Sequence, residues 1–272
     1  MDRISFHGRG LHSGDRCSVT LIRTPGPVCF VNGAEQVARE QLVVKQMDYG
    51  VRVASDHGGV DVDLVEHLLA AFGGLGIQSG VSVAVEGPEV PLLDGGAQEL
   101  ACALQALAPP RSRPLLRVAQ AGEVLVGESR YSFEPGSTVG VAVSIEFDSP
   151  GIGAQSASWD GTVDKFMAEL APARTFGFRS QHGELQAIGR AQHVDPRAVM
   201  VIEDDGTVAS PGAAASNLEF ARHKLLDLIG DLFLFGGPAL GKVAARRPGH
   251  RANHQAVRQA IEYGLLERLP AL

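Results

Sequence analysis

The stretch EFARHKLLDLIGDLFLFG, residues 219–236, sets His223, Asp227 and Asp231 at successive intervals of four. At 3.6 residues per turn these side chains share one side of a helix, while Leu225, Leu228, Ile229, Leu232 and Phe233 form an apolar stripe. Two readings fit: the polar stripe faces water, as outer faces do by rule, or it faces a metal ion. An imidazole and a carboxylate one turn apart can reach a single ion, and zinc takes such ligands at about 2.0–2.2 Å. A third ligand stands in DLVEHLLAAF, where His67 interrupts an otherwise apolar helical run. A lone histidine there is ordinarily a hydrogen-bonded core residue. The adjacent Glu66 favours chemistry instead, because a carboxylate beside a metal-bound histidine can take a proton from water, as the glutamate of HExxH enzymes does. Two histidines and an aspartate would leave a fourth position open for that water.

Arg246, Arg247, His250, Arg251 and His254 crowd into ARRPGHRANHQAV. This is either a charged loop leading into a helix or a set with His250 as a protonated acid. In the second case Asp231 would hold His250 charged, and an arginine with Lys224 would grip an anionic group.

Hydrophobic periodicity predicts helices at about 62–73, 96–107, 162–171, 180–189, 216–235 and 251–266. Strand-like segments accompany them: CSVTLI and VSVAVEG early, YSFEP, VGVAVSIEF and RAVMVIED later. Mixed elements without strict alternation predict an α+β fold with two layers per domain. The proline-rich LAPPRSRPLLRV is the linker candidate, dividing the chain into 1–108 and 115–272 around residues 109–114. A faint likeness between VEHLLAAFGGLG and ARHKLLDLIGDL suggests that the two parts arose by duplication. HGRGLHSG lacks the strand–helix setting of a phosphate loop and reads as a turn between strands. Asp94 reads as a cap for the helix that follows it.

The 272-residue chain is 44% hydrophobic and 20% charged, as soluble globular proteins are. Its net charge of −7 argues against nucleic acid as a partner, though local cations could hold a small phosphorylated substrate. MDRISFHGRG has no apolar core of a signal peptide, and no run approaches a membrane span, so the expected location is cytoplasmic. Three cysteines without CxxC spacing suggest neither disulfides nor a cysteine zinc site.

HGRGLHSG, VEHLLAAFGGLGI, GPEVPLLDG, ARTFGF, EFARHKLLDLIGDLF and RPGHRAN, in this order, resemble the UDP-3-O-acyl-N-acetylglucosamine deacetylases, the zinc amidases of lipid A biosynthesis. The resemblance implies zinc bound by His67, His223 and Asp227, with Glu66 as general base. It further implies His250, paired with Asp231, as acid or oxyanion stabiliser, and Thr175 as an oxyanion donor. Lys224 and Arg247 correspond to groups contacting the nucleotide diphosphate, and Phe176 to a ring near the sugar or uridine. Implied too are two similar two-layer sandwiches, packed helix face to helix face around the site, in a monomer. An insert around 178–205 would form a passage for the acyl chain. Iron can replace zinc in such a site.

The chain departs from the family pattern mainly in AIGRAQHVDPRAVMVIED, where Gln192 to Pro196 replace a glycine-rich segment beside the implied passage. GLGIQSG and FDSP are smaller departures. Two other functions therefore remain open: a zinc amidase for a different acylated amino-sugar nucleotide, and a non-catalytic paralogue that binds the nucleotide sugar.

Overall fold

The computed structural model describes residues 2–56, 58–149, 151–211 and 218–270. The fold is α+β. In the first part the chain forms β1 (Arg3–Arg9), β2 (Arg16–Pro27), β3 (Cys29–Asn32), β4 (Glu35–Ala38), β5 (Val43–Gln46), β6 (Arg52–Ala54) and β7 (Asp61–Val62). Helix α1 (Glu66–Leu75), β8 (Ser79–Glu86) and α2 (Gln98–Leu107) follow. A five-stranded sheet runs β1-β2-β8-β3-β4, and β5, β6 and β7 make a small three-stranded sheet beside it. In the large sheet Val19, Leu21, Val81 and Val83 are fully buried, the alternation expected of strands with one covered face.

Residues 109–114 belong to no helix or strand. Beyond them come β9 (Leu116–Val118), β10 (Gly122–Val126), β11 (Ser129–Glu146), β12 (Ala154–Trp159), α3 (Val163–Lys165), β13 (Thr175–Phe178), α4 (His182–Ala187) and β14 (Val199–Ile202). The chain ends with α5 (Glu219–Phe233), β15 (Leu240–Arg246), α6 (His250–Glu262) and β16 (Leu266–Arg268). A six-stranded sheet follows the order β10-β11-β15-β9-β16, with β12 on β11. Strands β13 and β14 pair in parallel, Thr175 opposite Val199 through Phe178 opposite Ile202, with α4 in the crossover.

What positions the site is the packing of α1 on α5. A single apolar core joins them, and Phe72 stacks on Phe233 at 5.6 Å between ring centroids. Glycine permits the approach: a Cβ on Gly230 would lie 2.2 Å from the Glu66 carbonyl oxygen. Any side chain there would push the two helices apart.

Element ends differ from the periodicity reading in several places: the helix expected at 162–171 is α3 followed by a π-helix over Phe166–Leu170, and that expected at 180–189 is α-helical only over His182–Ala187. The helix expected from residue 62 starts at Glu66, because Asp61 and Val62 pair with β6 and Leu64 adopts a left-handed φ of 57°. The last helix starts at His250 and stops at Glu262 rather than running to 266, since Gly264 turns the chain and Leu266 pairs with Val118. The first two residues of the helix expected over 216–235 lie outside the described residues; of the rest, Glu219–Phe233 is α5. Asp94 caps α2, its carboxylate accepting from the Gly96 and Glu99 amides at 3.0 and 2.8 Å. Among the described residues no helix is long and apolar enough to cross a membrane.

Candidate active site

The polar stripe of α5 does not face water. His223, Asp227 and Asp231 are 1–2% exposed, as buried as the leucines around them. Helix α1 brings His67 against them, and the ligand atoms of His67, His223 and Asp227 all lie within 4.8 Å of one another. From Asp227 Oδ1, His223 Nε2 is 3.3 Å away and His67 Nε2 3.8 Å. Atoms held tetrahedrally around zinc at about 2.0–2.2 Å would sit about 3.3–3.6 Å apart, so this cluster matches a metal's spacing.

The electrostatics of the three groups fit the same purpose. Burial pushes both imidazoles towards the neutral, ligating form, His67 down to about 3 with His223 beside it adding to the effect. His223 Nδ1 lies 3.0 Å from the Ala173 carbonyl, which only accepts, so the neutral ring donates there and keeps its Nε2 lone pair free. Burial alone would raise the Asp227 carboxyl, but the surrounding His223, Lys224, His250 and His67 hold it well below the usual range. Lys224 Nζ occupies Oδ2 at 2.8 Å, whereas the buried Oδ1 has no hydrogen-bond partner. A buried carboxylate oxygen without a donor is costly unless a cation completes it. The donor set therefore fits a divalent ion such as zinc.

Glu66, the first residue of α1, is aimed by the Val51 amide, which donates to Oε2 at 2.9 Å. Burial raises its carboxyl to about 7, against the opposing pull of His250. His250, at the start of α6, has its Nδ1 2.9 Å from Asp231 Oδ2 and its Nε2 3.9 Å from both Glu66 Oε1 and Asp227 Oδ2. Burial would lower this imidazole, but Asp231 first and Asp227 next lift it to about 10. Asp231 itself is drawn down to about 2: burial disfavours its charge, while His250 and His254 more than offset that.

Glu66, His67, His223, Asp227 and His250 line a cavity of about 910 Å³, together with Thr175, Phe176, Lys224 and Arg247. All ten site residues read from the sequence thus meet at a single cavity or, for Asp231, directly behind it. Phe176 packs edge-on against Phe220, with Lys224 Nζ 5.3 Å from its ring centroid. Arg247 is less free than the sequence suggests, since its guanidinium meets Glu128 at 2.7 Å and Glu146 at 3.3 Å. The other arginines of the basic cluster are also matched, Arg246 with Glu146 and Arg251 with Asp48.

Sequence reading missed the groups that hold these side chains. Asp231 accepts from Asn253 Nδ2 at 2.7 Å and His254 Nε2 at 3.1 Å as well as from His250. Asn253 and His254 lie three and four residues after His250, a helical spacing that could have marked them. His12, in the turn between β1 and β2, also lines the cavity, with its Nε2 2.7 Å from the Tyr49 carbonyl oxygen. Glu89 braces that turn by accepting from the His12 and Ser13 amides at 3.1 and 2.7 Å.

The family model described as LpxC, UDP-3-O-acyl N-acetylglycosamine deacetylase, matches residues 1–262. The chain belongs to this family. It is 34% identical to the UDP-3-O-acyl-N-acetylglucosamine deacetylase of Myxococcus xanthus (strain DK1622), over 94% of this chain and 83% of the relative. The enzyme of the same name from Anaeromyxobacter dehalogenans (strain 2CP-C) is 36% identical, over 95% and 85%. That of Brucella ovis (strain ATCC 25840 / 63/290 / NCTC 10512) is 38% identical, over 95% and 92%.

Proposed function

We propose that this chain hydrolyses the acetamide of UDP-3-O-acyl-N-acetylglucosamine to the free amine and acetate, a step of lipid A biosynthesis. One zinc ion would be held by His67, His223 and Asp227. The observation that carries this reading is the buried, partnerless Asp227 Oδ1 between two neutral imidazoles, with Glu66 and the charged His250 close by. Bound there, the metal supplies a Lewis acid that polarises the amide carbonyl and makes a water acidic.

The remaining work falls to side chains. Glu66 takes a proton from the water that attacks the carbonyl carbon, the Val51 amide keeping its other oxygen in place. His250 Nε2–H and Thr175 donate to the oxygen that becomes negative; a preorganised donor of this kind contributes about 3–4 kcal/mol. The two titrations then divide the labour. A carboxyl near 7 can return its proton to the departing nitrogen, while an imidazolium near 10 stays charged throughout. Lys224 and Arg247 would meet the nucleotide diphosphate, and Phe176 the sugar or uridine. The division of the strands at 109–114 supports two sandwich domains, 1–108 and 115–272, packed helix to helix. A cytoplasmic monomer with no nucleic-acid partner completes the proposal.

A second reading, hydrolysis of a different acylated amino-sugar nucleotide, is favoured by the departure at 192–196, because Val194 lines the cavity. Acetate release with UDP-3-O-acyl-N-acetylglucosamine, measured with bound-metal content for the native chain and Glu66→Ala, tests the first. One zinc per chain and turnover lost in the variant support it. Zinc without turnover at any acyl length moves the assignment to the second, and absence of stoichiometric metal overturns both.

A further inference from the structure

Besides its charged residues the cavity is lined by apolar side chains that form its apolar arm, Leu11 and Leu64 from the first part of the chain and Val194, Val199 and Val201 from the second. Leu11, Leu64, Val199 and Val201 belong to a small apolar cluster of their own, with Val194 packed against it. The two sets come from distant parts of the chain, so something must fix how they meet.

The segment 190–194, which overlaps the departure from the family's pattern at Gln192 to Pro196, supplies Val194 to the second set and is pinned to the first. Arg190 Nη1 meets Asp63 Oδ2 at 2.6 Å across 127 residues of chain, with both side chains largely buried. Beside this pair the Gln192 amide donates to His12 O at 3.2 Å and the His193 amide to Leu11 O at 3.1 Å. Asp63 is itself fixed: its amide donates to Pro88 O, its carbonyl accepts from Val90, and its other carboxylate oxygen accepts from the Leu64 amide. The ion pair thus connects the segment that carries Val194 to the residue next to Leu64, which lines the same cavity. A buried ion pair is weak support for stability but a strong constraint on geometry.

We propose that the Arg190–Asp63 pair determines specificity: by setting the width of the apolar arm it sets the acyl-chain length that the site accepts. This rests on the deacetylase reading in that the 3-O-acyl group is what enters the arm. Neither residue touches the reacting atoms; both are positioning residues.

Removing one partner alone would strand a buried charge, so the test removes both, in Asp63→Asn/Arg190→Met. A second variant, Val194→Ala, widens the same wall and leaves the charges alone. Acetate release is measured with substrates whose acyl chains lengthen by single methylenes. For the native chain kcat/KM should rise about fourfold per methylene while the arm fills, then stop rising. Both variants should carry that rise to chains at least two methylenes longer, through KM rather than kcat. An unchanged length profile in either variant, or a kcat loss equal at all lengths, would overturn the proposal. Binding of free fatty acids, followed by displacement of a fluorescent fatty acid, separates this result from the parent reading. If no substrate is deacetylated but the fatty-acid length profile shifts in both variants, the reaction assignment fails and the ruler stands. If fatty-acid binding shows no length dependence in the native chain, the ruler fails whatever the reaction.

Discussion

Asp231→Asn isolates the electrostatic half of the site. Asp231 accepts three hydrogen bonds, from His250, Asn253 and His254, and is the largest contributor raising His250 to about 10. Asparagine keeps the shape, loses the charge, and turns an –NH2 towards donors. Asp227 and Glu66 would continue to support the imidazolium, so we assign Asp231 half or more of the rise from the ordinary 6.5. That is about 2 units or more, worth about 2.7 kcal/mol at 1.36 kcal/mol per unit. In the native enzyme kcat/KM should climb as Glu66 ionises, on an acid limb that bound metal draws below the metal-free value of about 7, and fall as His250 deprotonates, on an alkaline limb that Asp231 pushes towards about 10. In the variant the alkaline limb should move to about pH 8 or below, giving a roughly tenfold deficit at about pH 9 that shrinks towards none at about pH 6.5. The assay is acetate release under subsaturating substrate across this range. A deficit independent of pH would mean that Asp231 only holds its neighbours in place. An alkaline limb unmoved from the native position would refute the charge argument altogether.

Other expectations follow from the same geometry. Glu66→Gln should lower kcat by about 10²–10⁴ while metal content stays at the native value; loss of metal together with activity would contradict a purely proton-handling role. Gly230→Ala should destabilise the fold by about 1–3 kcal/mol, because its methyl group would meet the Glu66 carbonyl 2.2 Å away, and an unchanged melting temperature would refute so close a packing of α1 and α5. In the metal-free protein His250 holds a proton in the folded state that it loses when unfolded, so stability should fall as pH rises from about 7 to 10, by up to about 1.4 kcal/mol per unit. Denaturant titrations in His250→Ala should lack that slope.

How legible the site was depends on whether a contact is written in spacing or in backbone. His223, Asp227 and Asp231 declare themselves because a helix repeats every 3.6 residues. Which way they face is not written there, since α5 is buried on nearly every side and an inward polar stripe has the same period as an outward one. Gly230 was the overlooked signal: a glycine amid leucines costs helix stability, and its use is the close approach of α1. The pairing of His67 with His223 across helices, about 156 residues apart in sequence, came from the Glu66 beside His67 and from family resemblance, not from periodicity. The groups that tune the chemistry were beyond either route. Glu66 is aimed by the amide of Val51 and His223 by the carbonyl of Ala173, and every residue carries such groups, so residue type says nothing about which are used.

The same distinction explains why the charges at this site balance as they do. Asp227 and Asp231 are held ionised against burial by their neighbours, His223 and Lys224 at the one and His250 and His254 at the other, while burial holds His67 and His223 neutral with help from the charges of Lys224 and His250. Before any metal arrives the two carboxylates and two cations cancel. Glu66, with no unmatched positive charge left to pair with, is pushed up by burial to about 7. A dication bound beside it would reverse that and draw Glu66 towards its ionised form, the state a base requires. Since the imidazoles are already neutral, the proton released when metal binds near neutral pH should come chiefly from Glu66. Calorimetry of metal binding in buffers of different ionisation enthalpy would count it. Release that survives intact in Glu66→Gln would show that a histidine, not the glutamate, had been holding the proton.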